Sequence, residues 1–278
     1  MISKKDLNLV KQEVCKKLSD YNVEMIEEID DTTLAEGVTG LRAEISGMCV
    51  MPCIYADLGA FTEKWGMPAV VDKLSSEFIT AIENAAKLDI EDFSADKVYQ
   101  GAFLSAENYE YIRNAKDRYI YRRYLDMAIA VRCRIDKDLV YSFSVGKDMA
   151  KALGIDEDEL FERAYQNTLN QFGVNMNTLE FFTGLTIITN DMLSYGASFI
   201  YFPEVLDSLY QRFGRNFYII PSSVDEILAF PENSQLDKED MLATIYAVNR
   251  DLLDRNKILS DNLYYYDSEF HELNIVEI

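Results

Sequence analysis

The chain has 278 residues, 49% of them hydrophobic, with Tyr 18 and Phe 15 against only Gly 12 and Pro 5. That composition excludes disordered and collagen-like chains and is ample for a large core. Its 27 Lys+Arg against 48 Asp+Glu give a formal net charge of −21, which repels nucleic acid and anionic membranes and favours basic partners.

No window holds the ~18 to 20 apolar residues of a membrane-spanning helix. The start, MISKKDLNLVKQEV, reads as an amphipathic helix rather than a secretion signal, so a soluble, cytoplasmic protein is expected. The charge is uneven. Residues 1–139 carry 18 Lys+Arg against 25 Asp+Glu, a balance of −7, and residues 140–278 carry 9 against 23, a balance of −14.

Along the chain, Leu7, Val10, Val14 and Leu18 fall at helical spacing. VEMIEEI, GLRAEIS and CVMPCIYADL read as three short strands, followed by helices around FTEKWG and from Pro68 to about Lys87, with Pro68 in a first turn. DKVYQGAFL reads as a strand and SAENYEYIRNA as a helix capped by Ser105. LDMAIAVRCRI alternates Met127, Ile129, Val131, Cys133 and Ile135, the mark of a half-buried strand, and DKD turns it back into LVYSFSV.

IDEDELFERAYQNTLNQF begins a helix with acids in its first turn, where they complement the helix dipole. LTIITN and ASFIYF read as strands, and PEVLDSLYQRFG as a helix opened by Pro203 and closed by Gly214. NFYIIP is another strand. The helix from Asp237 presents Met241, Leu242, Ile245, Val248, Asn249 and Leu252 inward, and NLYYYD and ELNIVEI close the chain as strands. The expected fold is α+β, with mixed or antiparallel sheets and helices on one or both faces. A weak boundary divides an N-terminal region, 1–95, from a C-terminal domain, 96–278.

Signatures of chemistry are scarce. No phosphate loop, dinucleotide-binding glycine pattern, HExxH, GxSxG or kinase motif is present, and no cofactor is expected. Cys15, Cys49, Cys53 and Cys133 lack the second close pair or neighbouring His of a zinc site, so buried or reduced thiols are expected and no metal. The one histidine, His271, sits in the polar tail YDSEFHELN and reads as a surface residue. The basic stretch from Arg113 to Arg134, with Lys116, Arg118, Arg122, Arg123 and Arg132, interleaves cations with Tyr. In so acidic a chain these arginines are expected to pair with the protein's own carboxylates.

The segment to resolve is FYIIPSSVDEILAF, residues 217–230. Pro221 lacks a ladder donor and is expected to end the strand. Ser223 to Glu226 has the Ser-x-x-Glu spacing of a capping box, with Asp225 and Glu226 in the first turn of a short helix. The competing reading is a hydrolase-type site made of Ser222, Ser223, Asp225 and Glu226.

PSSVDE, together with Asp126 and Ala128, Asn167 and Thr168, Thr189 and Asn190, Gly196 and Ala197, Val248 and Asn249, and Leu259 and Ser260, resembles an uncharacterised family of Gram-positive anaerobic bacteria. Members of that family typically show Pro-Ser-Ser-x-His-Glu. Pro221, Ser222, Ser223 and Glu226 match, and Asp225 stands where the family has His. The resemblance implies a shared fold and brings no activity with it.

An unperturbed Asp is a poor general base near neutral pH, so the exchange points away from catalysis. The function expected is a non-enzymatic acidic interaction protein with a basic or nucleic-acid-binding protein as partner. A mobile-element inhibitor of a CRISPR-like complex is one concrete form. An enzyme at Pro221–Glu226 and a small-molecule or peptide sensor are the alternatives.

Overall fold

The computed structural model describes residues 2–29, 37–45, 52–86, 94–113, 119–134, 142–179, 184–232, 237–253 and 257–277. The chain divides into two compact units, Met1–Ser94 and Ala95–Ile278.

The first unit opens with α1 (Lys4–Lys17), whose free amides are met by Ser3 accepting from the Asp6 N–H. Strands β1 (Val23–Ile29), β2 (Thr39–Ile45) and β3 (Cys53–Ala56) form an antiparallel sheet in that order. Asp57 caps α2 (Leu58–Trp65), and α3 (Met67–Ala85) follows with proline in its first turn. Val10 and Val14 of α1, Leu41 and Ala43 of β2, and Val70, Leu74 and Phe78 of α3 make one core. Phe78 is fully enclosed, and truncating such a side chain to Ala costs about 3–5 kcal/mol.

The second unit begins with α4 (Ala95–Gly101) running directly into β4 (Ala102–Asn108). The sequence reads DKVYQGAFL as one strand. Instead the helix end is tied down by Asn167, whose amide donates to the carbonyls of Tyr99 and Ala102 at 2.9 Å each. Gly101 allows the close approach, because a Cβ there would lie 2.4 Å from the Arg134 carbonyl oxygen. Ser105 is not a helix cap. It is buried within β4 and donates to Glu107, while Asn108 caps the short α5 (Tyr109–Ile112).

β5 (Tyr121–Tyr124), β6 (Met127–Arg134) and β7 (Ser142–Ser144) complete a four-stranded antiparallel sheet with β4, and β6 pairs with all three others. β6 is more enclosed than its alternation implies, since Ala128 and Ala130 are buried along with Met127, Ile129 and Val131. Ile135 lies outside the described residues, as does the DKD turn.

After α6 (Lys147–Leu153), α7 (Glu157–Phe172) starts at Asp156, which accepts from the Glu159 N–H, and buries Leu160, Phe161, Ala164, Thr168 and Phe172 on one stripe. Then come β8 (Val174–Leu179) and β9 (Leu185–Asn190). The run ASFIYF is not a strand but a 3-10 helix, Gly196–Tyr201. Gly196, Ala197, Phe199 and Ile200 are buried all round, and a run enclosed on every side has no period to reveal its conformation.

α8 (Pro203–Phe213), β10 (Phe217–Ser223), β11 (Glu226–Pro231), α9 (Lys238–Asp251), β12 (Tyr264–Asp267) and β13 (Glu272–Ile275) finish the chain. Gly214 closes α8 in the left-handed conformation, and Asp237 caps α9. Leu252 is not inward-facing: it lies past the end of α9 and is 78% exposed. The six strands order as β13-β12-β10-β11-β9-β8, all antiparallel. The fold is α+β, and among the described residues no helix is long and apolar enough to cross a membrane.

Candidate functional site

Pro221–Glu226 is a hairpin, not a helix start. β10 continues through Ser223, Val224 and Asp225 form a two-residue turn, and Glu226 opens β11 opposite Ser223. Pro221 does not end the strand. It lies past the three residues that pair with β12 and within the irregularity between Ile220 and Ser223, where a missing N–H leaves no ladder bond unmade.

Each polar group of the turn holds backbone or a neighbour. Ser223 Oγ accepts from the Asp225 N–H at 3.1 Å, and Ser222 Oγ donates to Glu226 Oε1 at 3.2 Å. Asp225 joins three segments. Its Oδ1 accepts from the Tyr195 N–H at 3.1 Å, its Oδ2 pairs with Lys257 Nζ at 2.6 Å, and its carbonyl accepts from Thr189 Oγ1 at 2.8 Å. The Val224 N–H donates to the Lys257 carbonyl, and the Val224 carbonyl accepts from the Ala197 N–H.

Gly196 makes the clasp sterically possible, since a Cβ there would lie 2.6 Å from Thr189 Oγ1 and 2.7 Å from the Asp225 carbonyl oxygen. Asn190 braces the loop beneath by accepting from the N–H groups of Met192 and Ser194. Tyr195 itself has φ 58, a left-handed conformation uncommon for an aromatic residue and fixed here from both sides.

The other landmarks do similar work. The Asp126 carboxylate accepts from Ser260 Oγ at 2.6 Å, Asn262 Nδ2 at 2.9 Å and Tyr264 OH at 2.6 Å. Asn249 donates to the Ser260 carbonyl and to Asp261. Thr168 Oγ1 accepts from the Leu104 N–H and donates to the Ala164 carbonyl. Burial, and then the Asp126 charge, hold the Tyr264 phenol well above its ordinary pKa. Tyr124 is pushed up to about 12, chiefly by burial and then by Tyr201.

His271 stands apart from the serines. Its Nδ1 lies 3.2 Å from Asp207 Oδ1 and 3.2 Å from Tyr266 OH at the β12–β13 turn. The arginines are spent internally: Arg113 pairs with Glu110 at 2.7 Å, Arg122 with Asp158 at 2.9 Å and Arg132 with Glu107 at 3.4 Å. Arg122, Arg123, Arg132 and Arg134 also cover the rings of Phe161, Tyr109, Tyr195 and Phe172. Lys116 and Arg118 lie outside the described residues.

No group of three or more His, Cys, Asp or Glu able to hold a metal occurs among the described residues. Cys15 is half-buried, Cys53 exposed and Cys133 buried, while Cys49 lies outside them.

A groove of about 570 Å³ opens elsewhere, between α4 and α7, with Asp96, Tyr99, Glu159, Glu162, Arg163 and Asn167 in its lining. None of Ser222, Ser223, Asp225 or Glu226 reaches it. Sequence reasoning named the turn but missed its partners Tyr195 and Lys257, which lie 30 and 32 residues away along the chain with no motif to mark them.

No curated protein and no solved structure matches the chain. The DUF5688 family model covers residues 7–268, and the chain therefore belongs to this family of unknown function.

Proposed function

We propose that the chain is a cytoplasmic, non-enzymatic interaction protein whose acidic C-terminal half, residues 140–278, docks a basic protein partner. The observation that carries this reading is the charge left after internal pairing. Arg113, Arg122 and Arg132 are matched internally, while Asp148, Glu239, Asp240, Glu269 and Glu272 of the C-terminal half stand exposed. A field of this sign accelerates encounter with a cationic surface and fixes its orientation. Insertion into the positive groove of a nucleic-acid-handling complex is one concrete form.

The immobilised chain is expected to retain a basic or nucleic-acid-binding protein at low ionic strength and to release it steeply as salt is added, because exposed charges are screened. Recovery of only neutral or acidic proteins, or retention indifferent to salt, contradicts the reading.

A hydrolase is the rival, and the 3.2 Å contact between Ser222 Oγ and Glu226 Oε1 is the feature in its favour. A fluorophosphonate probe that labels native chain but not the Ser222→Ala variant supports the rival. The docking reading expects no adduct.

A further inference from the structure

We draw no further inference here: the strongest candidate, the polar groove between α4 and α7, rests on the carboxylates of Asp96, Glu159 and Glu162, of which Glu159 already pairs with Arg163, and nothing in the structure shows what fills it.

Discussion

Replacing Asp225 by Ala removes the acceptor for the Tyr195 N–H, the partner of Lys257 and the anchor of the hairpin turn together. The hydrogen bond from the Tyr195 amide to a charged group is worth about 1.5–3 kcal/mol, and its loss leaves a half-buried N–H without a partner. The ion pair adds little, about 0–1 kcal/mol, because the Lys257 side chain is 43% and that of Asp225 27% exposed. The summed cost is about 2–4 kcal/mol, or a fall of roughly 4–16 °C in the melting temperature of a unit of this size.

Asp225→Asn keeps an acceptor for the amide and loses only the pair, so its cost is expected to stay below about 1 kcal/mol. Urea titration followed by circular dichroism measures both. An Asp225→Ala variant as stable as the native chain refutes the clasp. An Asn variant as damaged as Ala would mean that charge, not the backbone bond, is the working part.

Other outcomes follow from the same geometry. Gly196→Ala drives a Cβ against Thr189 and the Asp225 carbonyl, both largely backbone-fixed, and is expected to cost about 1–3 kcal/mol in the same titration. Tyr124 holds its proton to about 12 when folded and to 10.0 when not. Its contribution is therefore complete below pH 10 and is lost as pH rises through about 12. Tyr124→Phe should flatten the alkaline decline in stability by roughly 1.4 kcal/mol per pH unit across that window. Burial pushes the Cys133 thiol up to about 12. Iodoacetamide with peptide mass mapping should therefore modify exposed Cys53 in the native chain and reach Cys133 only after unfolding.

Helices with chemical punctuation were legible in the sequence. Asp237 sits at an N-cap, Glu157, Asp158 and Glu159 fill a first turn, Pro203 opens another and Gly214 closes a helix, because each residue type satisfies or relieves the backbone at that position. The Ser223-to-Glu226 spacing misled, since the same four residues serve a capping box or a tight hairpin. What decides between them is the pairing of Phe217–Ile220 with Leu228–Pro231, and the Val-Asp turn lacks the glycine or asparagine that flags hairpins. The candidate residues were found, but their role was set by Tyr195, Thr189 and Lys257, brought in by tertiary folding. The internal use of the arginines was readable from charge balance alone, although which carboxylate each would meet was not.

The measurement closest to the central claim compares partner retention by the native chain with retention by folded Ser222→Ala, Asp225→Asn and charge-neutralised variants, the last carrying Glu→Gln and Asp→Asn changes at Glu239, Asp240, Glu269 and Glu272. Docking by surface charge expects the first two to hold a basic protein as tightly as the native chain does and the neutralised variant to release it. Loss of the partner on removing the Ser222 hydroxyl, with the neutralised variant unaffected, would show that function resides in the turn and contradict the account.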